Sequence, residues 1–257
     1  MLVVALMPGG RSALAHVPAP EERIMSAMPV PPDTSPPDPW VFPTPGPDGF
    51  IPDDLARLPR DGYHYELLDG VLLVSRPGGF TVDDLERTPE DSNRYELIDG
   101  TLLVSPAPRW EHQHVVLSLA VILRAACPAG LVVFGPTPDV LKGRRGSLQP
   151  DLLVAHAVDL TPEEPYLGVP VLAVEVLSPS SLGIDRLAKR QVYARLGVSS
   201  YWIVDPSTRT GPAVTVLCLD RALDGYREEP TTGPDEAVTV TEPFPVSFTP
   251  ADLVRLP

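Results

Sequence analysis

The chain has 257 residues, 43% of them hydrophobic, enough for one compact domain with a real core plus extensions. A formal charge of −14 excludes nucleic-acid binding through a bulk positive field, because phosphate binding runs on Lys and Arg. No apolar run reaches the ~18 residues of a membrane span, and Cys127 and Cys218 form neither a metal-ligand pattern nor a disulfide framework.

The composition therefore predicts a cytoplasmic protein with both cysteines reduced and buried. The apolar start Met1 to Met7 lacks a basic flank and is short for a signal sequence, and Met25 or Met28 could equally open the chain. Residues 1–49 are rich in proline, which supports neither ladders nor helices, so an extended or disordered extension is expected there.

An internal repeat follows. IPDDLARLPRDGYHYELLDGVLLVS (51–75) matches TVDDLERTPEDSNRYELIDGTLLVS (81–105) with a period of 30 residues. Each copy predicts a short helix opening at the Asp pair, then a β-hairpin turning at Asp69-Gly70 or Asp99-Gly100. Two copies are too few for a solenoid. The first, over 50–80, reads as an extra helix-hairpin unit packed beside the second or used in dimer contacts. The second runs directly into a domain over 81–257.

Helical spacing continues from Trp110 to Ala126, with Val115, Leu119, Ile122 and Leu123 on one side. Leu131 to Phe134 and Asp139 to Leu141 read as short strands. Asp151 to Ala155 and Val169 to Leu177 are nearly continuous apolar runs, as in strands covered on both faces. A helix is predicted over 182–196, then a central strand at Tyr201 to Val204. Val214 to Leu219 and Val238 to Thr241 read as peripheral strands, and Pro250 to Arg255 as a closing helix. The order predicts an α+β fold, a mixed sheet with flanking helices.

The helix over 182–196 carries the most informative residue. Of 20 Lys plus Arg, only Lys142 and Lys189 are lysine. Lys189 shares one helical face with Leu182, Asp185, Tyr193 and Leu196, an apolar stripe with an acid and an amine set into it. An ammonium there needs partners, because desolvating it unpaired is expensive. Two acids stand upstream in apolar surroundings. Asp151 follows Pro150 and opens one buried strand; Glu175 sits between Val174 and Val176 in the next. One acid from each of two adjacent strands can converge on a hard cation such as Mg²⁺. With an ammonium added, the set suits phosphodiester hydrolysis.

Taken together, Tyr95-Glu96-Leu97-Ile98-Asp99-Gly100, His112-Gln113, Gln149-Pro150-Asp151, Glu175-Val176-Leu177-Ser178-Pro179-Ser180, Lys189, Tyr193, Gly197-Val198 and Tyr201-Trp202-Ile203-Val204-Asp205-Pro206 resemble the Uma-two family of the PD-(D/E)XK nuclease superfamily. The resemblance covers about residues 81–256. It implies a restriction-endonuclease-like core, Mg²⁺ dependence with Mn²⁺ as a substitute, and cleavage of DNA. Asp151, Glu175 and the Val176 carbonyl would hold the metal, and Lys189 would assist the attacking water. Leu177 stands where the superfamily often has its lysine, so the amine would come from Lys189 on the helix. A homodimer fits, since cutting both strands of a duplex usually needs two sites.

Each residue also has a plainer role open to it. Asp151 could cap a turn, and Glu175 could pair with an arginine. Asp185 and Lys189 form an i,i+4 pair worth ~0.3–0.5 kcal/mol on an exposed helix. Glu96 recurs as Glu66 in the first repeat copy, which favours a structural role in the hairpin at least as much as an accessory one. His112 could cap its helix or touch substrate, and Ser178 could bind phosphate or cap the next helix. Tyr193 reads as core packing. Lys142-Gly143-Arg144-Arg145 and the set Arg186, Lys189, Arg190 and Arg195 are the candidate local polyanion sites. The competing readings are an interaction or scaffold module on a nuclease fold, and a phosphoesterase acting on RNA or nucleotides.

Overall fold

A computed structural model describes residues 40–135, 139–141, 143–160, 168–179 and 181–256. Most of the expected proline-rich extension and Lys142 lie outside the described residues. Within residues 40–49, one side chain joins the core. Trp40 is buried and meets the rings of Phe80 and Tyr95 at 6.1 and 5.9 Å, so this end of the segment packs as core.

The two repeat copies take up the same local structure. The first contains α1 (Pro52–Leu55), β1 (His64–Leu68) and β2 (Val71–Ser75); the second contains α2 (Val82–Leu85), β3 (Asn93–Ile98) and β4 (Thr101–Pro106). The second Asp of each pair folds back on the residue before its helix. Asp54 accepts from the Ile51 N–H and Asp84 from the Thr81 N–H, which satisfies a donor the short helix leaves open. Both hairpins turn with two residues at positive φ: Asp69 (50°) with Gly70 (92°), and Asp99 (49°) with Gly100 (88°). That is the primed geometry that matches strand twist, and it explains the Asp-Gly pairs. The preceding Phe also repeats, with the N–H groups of Phe50 and Phe80 donating to the Gly70 and Gly100 carbonyls.

These strands form a six-stranded sheet in the order β1-β2-β4-β3-β7-β6, completed by β6 (Val140–Leu141) and β7 (Ser147–Leu148). A second six-stranded sheet contains β5 (Leu131–Phe134), β8 (Leu152–His156), β9 (Leu172–Val176), β10 (Ser200–Thr208), β11 (Gly211–Asp220) and β12 (Gly225–Glu228). Its order is β12-β11-β10-β9-β8-β5. All five residues of β9 are buried, Glu175 among them, as its nearly continuous apolar sequence leads one to expect. The region predicted as a peripheral strand at 214–219 is instead interior. β11 pairs with β10 over most of its length, and the edge falls to β12, which its charged sequence GYRE had hidden.

β9 and β10 run parallel, and parallel neighbours need a crossover. The segment after β9 supplies it. It is π-helical over Ile184–Lys189 and α-helical over Arg190–Leu196 (α4), ending at Gly197 in the left-handed region (φ 89°). The α-helical face expected there is therefore re-cut. Asp185, Lys189 and Tyr193 are buried, but Leu182 is exposed.

Helix α3 (Trp110–Ala126) packs Val115, Leu119 and Leu123 into the core of the second sheet. α5 (Pro250–Val254) and the hairpin of β13 (Val238–Val240) and β14 (Val246–Phe248) close that core. Both cysteines are free, as expected, but only half-buried, a correction to the expectation that they are buried. Among the described residues no helix is long and apolar enough to cross a membrane.

Gly49 tests the hairpin geometry. Its φ is +103°, and a Cβ there would lie 2.5 Å from the Gly70 carbonyl oxygen, a backbone atom that cannot step aside. Gly62 has a similar φ (+87°) with no atom within 4 Å. Gly62→Ala is expected to cost only the left-handed strain, about 1–2 kcal/mol. Gly49→Ala is expected to cost distinctly more, read as a larger fall in thermal midpoint.

Candidate active site

Five buried charged side chains from five places in the chain meet where the two sheets adjoin. Lys189 comes from the π-helical crossover, Asp185 from one turn earlier, Glu175 from β9, Asp151 from just before β8, and Glu96 from β3. Each is at most 5% exposed.

The Lys189 ammonium stands 3.0 Å from Glu96 Oε2, 3.1 Å from Glu175 Oε1 and 3.4 Å from Asp185 Oδ1. Burial would lower its pKa, but Glu175, Glu96 and Asp185 together raise it above the ordinary lysine value. It is therefore an ammonium at neutral pH. Glu175 Oε1 also accepts from the Tyr193 hydroxyl at 2.9 Å. Burial pushes the Glu175 carboxyl well up; Lys189 opposes this, and the negative neighbours Asp185, Asp151 and Glu96 add to it. Asp185 is raised as well, again chiefly by burial.

Asp151 behaves in the opposite way. One oxygen accepts from Arg94 Nη2 at 2.9 Å, and the other accepts from the Val176 N–H at 2.8 Å and faces His112 Nε2 at 3.0 Å. Burial alone would raise its carboxyl, but the His112 hydrogen bond, the Arg94 charge and the Val176 N–H hold it well below the usual carboxylate range. His112 Nε2 also stands 2.8 Å from the Val176 carbonyl oxygen. Asp151 Oδ2 and Val176 O thus both face the His112 ring nitrogen.

The cluster opens into a cavity of about 440 Å³ whose lining includes Arg94, Glu96, His112, Asp151, Glu175 and Lys189. Among the described residues no three His, Cys, Asp or Glu side chains converge closely enough to hold a metal by themselves. The oxygen donors at the cavity that could take part in holding a hard cation, together with water and phosphate oxygens, are Asp151, Glu175 and the Val176 carbonyl. Four buried acids, Glu96, Asp151, Glu175 and Asp185, face the two cations Lys189 and Arg94 there.

Asp151, Glu175, Val176, Lys189, Asp185, Glu96 and His112, all singled out from sequence, are brought together. The repeat had suggested a structural role for Glu96, but the copies are not equivalent. Glu66 sits exposed on the edge strand β1, whereas Glu96 lies inside, where its Oε1 also accepts from the Gln149 N–H at 2.8 Å. Ser178 lines the cavity and hydrogen-bonds Ser181 in the turn that opens the crossover.

Two residues were missed. Tyr193, read as packing, donates to Glu175. Arg94 lies two positions before Glu96 and so on the same face of β3. The signal was the repeat itself, which has exposed His64 at the matching position. In the candidate polyanion sets, Arg186, Arg190 and Arg195 pair with Asp205, Glu228 and Asp99, and Arg144 with Asp83, while Lys142 lies outside the described residues.

The extra hairpin reaches this site too. Asp69 Oδ2 accepts from the Gly183 N–H at 3.1 Å at the start of the crossover, and Val71 packs with Leu103 against Ile184.

Two comparisons with known proteins bear on the chain. The sequence model of the Uma2 family, described as "Putative restriction endonuclease", matches residues 82–254. A crystal structure from Anabaena variabilis ATCC 29413, described as a putative nuclease belonging to DUF820, is 20% identical with a TM-score of 0.55. That match covers 68% of this chain and 97% of the other, and at this identity the likeness shows the fold alone. No curated protein matches.

Asp151 and Glu175 carry opposite signs for stability. The depressed Asp151 contributes stability that is present above the unfolded aspartate value of about 3.9 and lost as pH falls toward its folded value. The raised Glu175 costs stability above the ordinary glutamate value of about 4.3, and the cost is relieved as pH falls through its folded value. With chelator present at pH 7, Asp151→Asn is expected to destabilise by roughly 3 kcal/mol. That is the low end for breaking a buried pair, since a quarter of the Arg94 side chain reaches solvent. Glu175→Gln is expected to raise the thermal midpoint under the same conditions.

Proposed function

The chain belongs to the Uma2 family of restriction-endonuclease-like proteins, and from its buried centre we propose that it is a Mg²⁺-dependent endonuclease hydrolysing phosphodiester bonds in DNA. The observation that carries this is the Lys189 ammonium held among Glu96, Glu175 and Asp185 beside Asp151, with all of them lining one cavity.

Asp151, Glu175 and the Val176 carbonyl would hold the ion, with Mn²⁺ as a substitute. When bound, the ion supplies Lewis acidity at the phosphate and lowers the pKa of water. The chain's own residues do the rest. Arg94 and the Val176 N–H keep Asp151 ionised and fixed in orientation. Tyr193 and Lys189 fix one oxygen of Glu175.

Because Lys189 is an ammonium, it offsets negative charge building on the phosphate oxygens rather than taking a proton from water. Glu96 and Asp185 hold the amine in place. His112, facing both Asp151 and the Val176 carbonyl, marks where metal and substrate meet.

A scaffold reading also has an observation behind it. Both Asp151 oxygens already have donors, and Lys189 is already neutralised by acids. Calorimetry separates the two. Millimolar or tighter Mn²⁺ binding that disappears in Glu175→Gln supports the nuclease, and the absence of any binding supports the scaffold. In a supercoiled-plasmid nicking assay with Mg²⁺ or Mn²⁺, Lys189→Arg is expected to lower the rate on the order of 100-fold. An unchanged rate in that variant refutes this site.

A further inference from the structure

The wall of the cavity differs from its floor. Trp110, the first residue of α3, lines the same cavity as His112 yet is 62% exposed. Trp40 and Trp202 are 7% and 0% exposed, so Trp110 stands apart from both. Pro106, Pro108, Pro179 and Pro206 line the cavity with it, which makes rigid apolar walls around a charged floor.

Among the residues that line the cavity, the only Lys and Arg are Arg94, Arg109 and Lys189. Arg94 and Lys189 are committed to buried acids, and Arg109 lies 3.6 Å from Asp48. The helix arginines 186, 190 and 195 are each paired with an acid. A duplex held by its backbones asks for a track of free Lys and Arg, and the chain's net charge of −14 opposes it.

An unpaired strand asks for less. Its bases have open faces, and stacking one on an aromatic ring is worth about 1–3 kcal/mol. A cavity of about 440 Å³ falls within the usual range for small-molecule sites, about 300–1,000 Å³, which suits one nucleotide rather than a double helix.

Resting on the nuclease reading above, we propose that the substrate is single-stranded DNA, with one base stacked on Trp110 so that its phosphate enters the cavity above Lys189. The apolar prolines flank the base, and the centre beneath receives the phosphate. Selectivity for an unpaired strand then comes from stacking, in a protein too acidic to hold a duplex by its phosphates. Leu117 and Val121 are also exposed on α3, at 64% and 63%, but neither lines the cavity, so the stacking site is Trp110 alone.

The test uses the full chain with chelator present, so that nothing is cut. Titration with a short oligothymidine is expected to quench tryptophan emission, because Trp110 is the exposed indole. Labelled-oligonucleotide anisotropy is expected to show binding about tenfold or more weaker in Trp110→Ala, with most of it restored in Trp110→Phe. The same strand annealed into a duplex is expected to bind at least tenfold more weakly.

Equal affinity for duplex and single strand would overturn the proposal, as would an unchanged affinity in a folded Trp110→Ala. Quenching that follows protein concentration without DNA would also overturn it, by assigning Trp110 to an interface between copies. The nuclease reading fails separately. Stacking without cleavage in Mg²⁺ or Mn²⁺ sinks the enzyme and leaves the strand-binding site. Duplex cleavage indifferent to Trp110 does the reverse.

Discussion

One ammonium surrounded by three carboxylates organises this molecule. Lys189, Glu96, Glu175 and Asp185 come from two sheets and a crossover, and none of them can be buried alone at tolerable cost. The sheets must therefore meet in one register for the charges to find each other. The acids nevertheless outnumber the cations in that pocket, so the arrangement gives up stability that an apolar core would keep. Ionisable groups with such strongly perturbed environments cluster at functional sites.

Local chemistry made much of the fold legible. The Asp-Gly turns, the 30-residue period, the limits of α3 and the buried strands β8 to β10 all follow from periodicity and turn preference. Lys189, Asp151 and Glu175 stood out because charges do not belong in apolar runs. What escaped was non-local. Arg94 looks like any strand arginine until the chain folds Asp151 against it. Whether a glutamate is Glu96 or Glu66 depends on which hairpin lies inside. The π-helical stretch has no residue signature, and β11 looked peripheral because pairing order is not written in any one strand.

The hairpin that precedes the family match is not a bystander. Through Asp69 it accepts a hydrogen bond from the first turn of the lysine-bearing segment, and through Val71 it contributes to the cavity wall. An anion at a helix start is favourable, and here it comes from an element that residues 82–254 do not include. The crossover is thus gripped from both sides, by β9 and β10 beneath and by the added unit at its end.

Near-identity between the two hairpins has a consequence for how the chain reaches its native state. YELLDG and YELIDG are almost interchangeable, so either could claim the inner position during folding, a competing minimum of the kind that produces kinetic traps. If the wrong copy won, His64 would stand where Arg94 belongs and Asp151 would lose its guanidinium. Chain connectivity breaks the tie. Only the second copy continues straight into α3, which carries His112, so the correct arrangement closes the shorter loop and the mispaired one must thread a detour.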